Sequence, residues 1–311
     1  MKILIAYDGS EFAEAILDDL PYAGLPARVE VVVFTLAEPE YFLVGKKTEG
    51  VAGWLNCKLT EARMSARLAR DCIQANFPDW DASVEVRIAA PAQEIVRKAT
   101  QWNPDLVIIG QHGRGGSKLP GLGRIAKCLL KEANCSVRIA RERRRPRGAP
   151  PRIVIPLTAS QNLEALARVV TSRLWPLRTE VRLVDSLGPI LSEMRLAGGI
   201  LDPQTRAVME IRRSVKWKLQ SANLLVASKT TAGFSAADVI ETARRWRADC
   251  IFIGAEEMSL IEKVFCGDFV ARVASQAECS VEIVRGPVRC GAEFSEGAAG
   301  ASHKDFLPVT S

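Results

Sequence analysis

Apolar residues in this chain come in short unbroken runs, each closed by a turn residue, with amphipathic stretches between them. The first half has five such runs, at residues 2–7, 29–36, 83–88, 106–109 and 137–140. The runs at 29–36 and 106–109, which alternate little, read as strands buried on both faces, as in a parallel sheet, and the others as further strands. Between them the spacing turns helical. Leu55, Leu59, Ala62, Ala66, Ala69, Cys72, Ile73 and Phe77 share one face, which predicts a helix over 55–77 ended by Pro78. Ser10 is placed to cap a helix over 11–20, and Pro91 to open one that runs to about 101. Ile125, Leu129 and Leu130 mark another helix. The residues between 37 and 53, with Tyr41 and Phe42, read as a long loop that either covers the sheet edge or packs on the surface. The first 141 residues therefore predict βαβαβαβαβ.

The second half repeats the pattern. Strands are expected at 152–157, 181–184 and 224–227, with Pro156 pointing to an early end of the first. Helices are expected at 161–174, 203–222 and 236–246, and 186–199 reads as a loop. The repeat is explicit in its last unit. Residues 105–140 and 249–285 align without a gap, 144 residues apart: Trp102 with Trp246, Asp105 with Asp249, Gly110 with Gly254, Gly123 with Gly267, Cys135 with Cys279. A repeat of this length means two homologous domains.

The two copies differ in the loop after the apolar run. In the first copy six glycines fall within fourteen residues, Gly110, Gly113, Gly115, Gly116, Gly121 and Gly123. A strand, a glycine-rich loop and a helix together offer backbone N–H groups and a helix N-terminus to an anion. In the second copy Gly113 becomes Glu257 and Arg124 becomes Asp268, and Thr158 stands where the first half has Asp8. Glu256, Glu257 and Asp268 place negative charge where an anion would bind, so the second site is expected to be degenerate.

The spacing Gly110-x-x-Gly113, nine residues, Gly123, together with the tandem repeat and the opening strand, resembles the universal stress protein family. The resemblance covers residues 1–141 and 151–286. It implies an α/β fold of two tandem Rossmann-like domains of the adenine nucleotide α hydrolase type, each a five-stranded parallel sheet flanked by helices. The expected division is domain one at 1–141, an Arg/Pro-rich linker at 142–151, domain two at 152–286 and a disordered tail at 287–311, rich in Gly, Ala and Ser. The resemblance further implies a stress-response regulator that binds ATP, ADP or AMP in domain one, with or without Mg. In that reading Gly110, Gly113 and Gly123 offer N–H groups to phosphates. Asp8 lies beside adenine and ribose, and the backbone near Leu36 meets the adenine. Arg114, Ser117 and Lys118 are further phosphate contacts, and His112 stacks on base or ribose. Each has a plainer alternative: Asp8 a turn residue, His112 a loop residue, the whole loop an empty connection.

The family places Ser or Thr after its last loop glycine, and this chain has Arg124. Its guanidinium either binds phosphate bidentately or fills the pocket and excludes the terminal phosphate. The other class of function is a nucleotide-free stress protein acting through protein contacts. The resemblance also implies that the last strand of each domain pairs across a two-fold interface, giving an intrachain pseudo-dimer, with two chains associating as a homodimer.

Composition narrows the alternatives. Two histidines, His112 and His303, leave no room for a His-based metal site or a Ser-His-Asp triad in each domain. With no Lys-Ser/Thr phosphate motif and no general base beside the loop, an enzyme is not expected, slow incidental ATP hydrolysis aside. The net charge of +6 has a local source in Arg141, Arg143, Arg144, Arg145, Arg147 and Arg152, which read as a solvated linker. Aromatics at 6% do not favour a base-stacking surface, so nucleic acid is not the expected partner. Eight cysteines without paired spacing, no signal peptide and no membrane-length apolar run place the chain in the cytoplasm.

Overall fold

The computed structural model describes residues 1–38, 49–113, 121–157, 162–186, 203–231, 235–255 and 262–285. The first half runs β1 (Lys2–Ala6), α1 (Glu11–Asp19), β2 (Glu30–Ala37), α2 (Glu49–Asn76), β3 (Asp81–Ile88), α3 (Pro91–Trp102), β4 (Leu106–Gly110), α4 (Arg124–Glu132) and β5 (Ser136–Ala140). The second half runs β6 (Arg152–Pro156), α5 (Leu163–Thr171), β7 (Glu180–Ser186), α6 (Pro203–Ser221), β8 (Leu225–Thr231), α7 (Ala236–Trp246), β9 (Cys250–Gly254), α8 (Glu262–Gln276) and β10 (Ser280–Val284). The expected tail lies outside the described residues, as does most of the loop expected before α6 and most of that expected before α2.

Local chemistry accounts for the helix ends. Ser10 caps α1, its Oγ accepting from the Ala13 N–H, with Glu11 and Glu14 in the first turn. Pro91 opens α3, and Asn103 closes it in the left-handed region. Ser235 and Asp238 form a reciprocal capping box at α7. Helix α2 starts earlier than its apolar stripe predicts, because Gly50 and Gly53 cost a helix only about 1 kcal/mol each.

Within each half all strands are parallel, in the orders β3-β2-β1-β4-β5 and β8-β7-β6-β9-β10. The two half-sheets join through an antiparallel pairing of β5 with β10 into one ten-stranded sheet. Pro156 ends β6 on one side only: the ladder to β9 stops at Val154, while the ladder to β7 continues to Pro156.

The register of β5 with β10 is Val137 with Ile283, Arg138 with Glu282 and Ile139 with Val281. These are repeat-equivalent positions, so a pseudo-two-fold axis passes between Arg138 and Glu282. On one face of the sheet a single apolar core crosses that axis, built from Val137, Ile139, Val281 and Ile283 with residues of α3, α4, α7 and α8. On the other face each half has its own apolar cluster.

Between those two clusters lies a buried group of four charges. Arg138 is 1% exposed and Glu282 is fully buried. Arg138 makes a fork onto Asp19, at 2.5 and 2.9 Å, and donates from Nη1 to Glu282 at 2.9 Å. Arg173 donates to Glu282 and to the Ala23 carbonyl. Both guanidinium groups flank the ring of Phe252. Burial acts to lower the Arg138 pKa, but Asp19 and Glu282 beside it raise it overall, so the pair stays ionised.

Two further arginines are related by the same axis. The Arg141 N–H donates to Ser280 Oγ, and its guanidinium reaches the Ala274 and Cys279 carbonyls at the end of α8. The Arg285 N–H donates to Ser136 Oγ, and its guanidinium reaches the Leu129, Leu130 and Ala133 carbonyls at the end of α4. Each arginine thus satisfies the orphan carbonyls of a helix in the other half.

These contacts correct the expectation of a solvated arginine linker. Arg143 and Arg145 both pair with Asp249, and Arg143 lies over the Tyr22 ring at 3.7 Å. Arg152 spans Glu180 and the Trp246 carbonyl. Only Arg144 and Arg147 of the cluster are exposed. Charge runs solvate when no carboxylate is near; here Asp249 lies beneath the linker. The buried thiols are as expected, burial pushing Cys135 up to about 11 and Cys279 up to about 12.

Gly24 closes the contact between the halves. Its φ is +63°, and a Cβ there would lie 2.5 Å from the Trp175 ring. Gly24→Ala is expected to cost roughly 2–4 kcal/mol, from left-handed strain and overpacking together. Gly53→Ala, in a helix with open space around it, should stabilise by up to about 1 kcal/mol. Urea denaturation of both variants checks the contrast. Asp249→Ala leaves two buried guanidinium groups unpaired and should cost about 3–5 kcal/mol. Arg147→Ala, 91% exposed, should stay within about 0.5 kcal/mol of the parent in the same assay.

Candidate functional site

In the first half the strand order reverses at β1, between β2 and β4. Ligands of open α/β sheets bind outside the carboxyl ends of the strands at such a point. The residue chemistry predicted from the sequence gathers there.

Asp8 follows β1 directly. Its Oδ1 accepts from the Ser10 N–H at 3.0 Å and the Ser10 hydroxyl at 2.6 Å, which fixes the turn into α1. Its Oδ2 faces Gly113, where an added Cβ would lie 3.1 Å away. The first strand and the glycine loop are therefore in contact through a carboxylate and a backbone without a side chain. Leu36 sits near the end of β2, partly buried against the core. The Tyr7 N–H donates to the Phe34 carbonyl, which brings the end of β2 level with Asp8. His112 is half-buried, edge-on to Phe12 at 5.1 Å. Burial, and then Arg141, hold its pKa below the ordinary 6.5, so it is neutral at pH 7.

Two of the predicted glycines have packing roles. A Cβ at Gly110 would strike the Phe12 carbonyl oxygen at 2.5 Å, so glycine here lets α1 lie against β4. Gly254 has the corresponding contact with Asn162, which accounts for glycine in both copies without reference to a ligand. The Gly123 N–H donates to the Gln111 carbonyl at 3.1 Å, and a Cβ there would crowd the Gln111 carbonyl and His112. Its N–H is thus engaged within the loop. The donors at this helix end are those of the first turn of α4, beginning at Arg124, which have no partner within the helix. Arg124 itself is exposed. Arg114, Ser117 and Lys118 lie outside the described residues.

Gln111 carries weight the sequence reading missed. Its Nε2 donates to the Gly121 carbonyl at 3.1 Å, holding the two ends of the glycine loop together. Its Oε1 accepts from Arg141 Nε at 3.1 Å. Burial draws the Arg141 pKa down to about 10, which leaves it charged at neutral pH. The loop is therefore tied through Arg141 to the end of α8 in the other half. The repeat has Ala255 at the position of Gln111, and that difference was the available signal.

The second half is built differently at the same edge. Arg212 donates to the Leu157 carbonyl at 3.3 Å and pairs with Asp185 at 2.9 Å. Leu157 follows β6 as Tyr7 follows β1, and Asp185 lies near the end of β7 as Thr35 lies near that of β2, so an internal ion pair spans the corresponding edge. Helix α8 is also longer than α4, fifteen residues against nine, because its start has no counterpart of Pro120 and Gly121. Gly267 and Asp268 lie inside it, whereas Gly123 and Arg124 begin α4. Thr158, Glu256 and Glu257 are outside the described residues. Among the described residues no group of His, Cys, Asp and Glu is placed to hold a metal, and no helix is long and apolar enough to cross a membrane.

Comparison with known proteins agrees with this geometry. The model of the universal stress protein family matches residues 1–141 and again 151–285. A universal stress protein of Synechocystis is 26% identical over 149 residues, 44% of this chain and 96% of its own length. The crystal structure of a universal stress protein from Archaeoglobus fulgidus superimposes with a TM-score of 0.64 at 16% identity, over 91% of this chain and 98% of that one. A putative universal stress protein from Pseudomonas aeruginosa gives 0.54 at 15% identity, over 91% and 92% of the two chains. These structures share the fold across both halves, and the matches of the family model cover nearly all of the described chain: the protein is a tandem, two-domain member of the universal stress protein family.

Proposed function

We propose that the first half binds an adenine nucleotide and that the second half serves it as a built-in structural partner, the whole acting as a stress-response regulator and not as an enzyme. The observation that carries this reading is the contact of Asp8 with Gly113 at the strand-order reversal. It leaves a side-chain-free cradle beside a carboxylate and next to the first turn of α4. A nucleotide needs those elements together: a polar group for the sugar, bare backbone for close approach, and a helix N-terminus for phosphate.

The residues present fit the group. Asp8 and the backbone near Leu36 would hold the nucleoside, with the neutral ring of His112 beside it. Gly113 and the first turn of α4 would meet the phosphates. Arg124, a cation on an exposed helix N-terminus, gains most from an anionic neighbour, which offsets its repulsion by the helix dipole. The bound nucleotide supplies charge and bulk, and Gln111 and Arg141 carry the state of the loop to the other half. In the second half the Arg212–Asp185 pair stands in place of a ligand.

A second reading has its own support. Gly110 and Gly123 both have packing reasons to be glycine, so the loop is compatible with a protein that acts through contacts alone. Isothermal titration with ATP, ADP and AMP, with and without Mg, separates the two. The nucleotide reading expects one site per chain. Gly113→Glu, which copies the second half and sets a carboxylate against Asp8, should weaken binding at least roughly tenfold. Arg124→Ala should cost about 1.5–3 kcal/mol with ATP, and less with ADP, if the guanidinium meets the terminal phosphate. Gln111→Ala should weaken binding without changing the stoichiometry. Absence of heat with all three nucleotides would leave the contact-only reading.

A further inference from the structure

The strand seam between the halves is nearly symmetric, and beside the linker's hold on Asp249 two of its departures from symmetry bear on which halves can pair. The first is on the axis. Residues 138 and 282 are repeat-equivalent and face each other, so in a pairing of two like halves each would face its own copy. β5 against β5 of a second chain would set Arg138 Nη1 against another Arg138. β10 against β10 would set Glu282 against another Glu282. Asp19 and Arg173 keep each half neutral by itself, since Asp19 serves Arg138 and Arg173 serves Glu282 within the same half. What changes with the partner is therefore the contact on the axis: a buried 2.9 Å ion pair, or like charges at that distance in the same dry site.

The second contact is steric. The Leu174 N–H donates to the Gly24 carbonyl, and these two occupy corresponding places in their halves, 150 residues apart, as β1 and β6 do. Gly24 leaves no room for a Cβ beside Trp175. Two second halves together would set the Leu174 side chain where Gly24 now lies. Two first halves would set Gly24 against Leu25, the counterpart of Trp175, and leave a void.

We propose that Arg138–Glu282 and Gly24–Trp175 are partner-selecting contacts, which make each terminal strand refuse a second copy of itself and accept the other half. The symmetric contacts, those of Arg141 and Arg285, supply attraction that any pairing would share. The asymmetric ones decide which pairing forms. A second copy of the chain must then associate through another surface, because β5 and β10 are already committed to each other.

The test uses the full chain with a protease site at 147–148, on the exposed part of the linker, cut after folding. The cut protein is unfolded in urea, refolded, and its pairs are counted by native mass spectrometry. The parent should return unlike pairs. Arg138→Met and Glu282→Met, with Asp19→Asn and Arg173→Met so that neither half keeps a lone buried charge at the seam, should raise like pairs by roughly tenfold. Adding Leu174→Gly and Trp175→Leu, which gives the second half the Gly24–Leu25 pair of the first, should bring the mixture close to random pairing. Asp19→Asn, Arg138→Gln, Arg173→Gln and Glu282→Gln together keep hydrogen-bonding groups in the site without charge, and serve if the methionine variant does not fold. If the cut halves fail to refold, the uncut chains are refolded at high concentration and sized; the substituted chain should then form interchain species absent from the parent. Asp249→Asn in every cut chain releases Arg143 and Arg145 of the linker, and like pairs in that background without other substitutions, or unlike pairs alone in the fully substituted variant, would overturn the proposal.

Discussion

The antiparallel pairing of β5 with β10 is the interaction on which the rest of this structure depends. It turns two half-sheets into one and gives both halves a shared apolar core on one face. That pairing also creates the tightest electrostatic problem in the molecule, because the axis passes through two side chains that have no access to water. Opposite charges solve it. The helix-end carbonyls of α4 and α8 pose a second problem, solved by Arg285 and Arg141 reaching across. Each half therefore leaves unsatisfied groups that the other completes.

On this symmetric frame the two halves have diverged in chemistry. The first keeps a bare backbone facing Asp8 and a helix that begins at Gly123. In the second, helical residues extend α8 backward through the equivalent stretch, and Arg212 and Asp185 join across the crevice. The same strand order thus carries a glycine beside a carboxylate in one half and, among the described residues, an ion pair in the other. Gln111 adds direction to the asymmetry, since it links the glycine loop to Arg141 and the seam, and Ala255 has no side chain with which to do the same.

Much of this was legible in the sequence, and the exceptions have physical reasons. Interior strands announced themselves because a parallel strand inside the sheet is apolar on both faces; the edge strands β3 and β8, which have no buried residue, were placed within a few residues without that signal. Local capping residues, Ser10 and Pro91 among them, marked helix starts. The packing role of Gly110 was not legible because a glycine needed for close packing and one needed for a ligand look alike in one dimension; the carbonyl of Phe12 supplies the packing reason. The arginine cluster was misread for the opposite reason. Its partner, Asp249, is about a hundred residues away along the chain, and the repeat equivalent Asp105 gives no hint of it, since Asp105 binds the Lys2 N–H just as Asp249 binds the Arg152 N–H. Gln111 and the Arg212–Asp185 pair escaped notice because polar residues at strand ends carry no periodic signal. Their meaning depends on which carbonyl they reach.

The clasped linker has a consequence for supply. Surfaces that accept only an unlike partner work when both partners are present in equal amounts; an excess of either leaves buried charges and helix ends without their complements. Two separate genes would have to be matched in output to avoid that. A single chain, held across the seam by Arg143 and Arg145 on Asp249, delivers the halves in a fixed one-to-one ratio from the moment of synthesis.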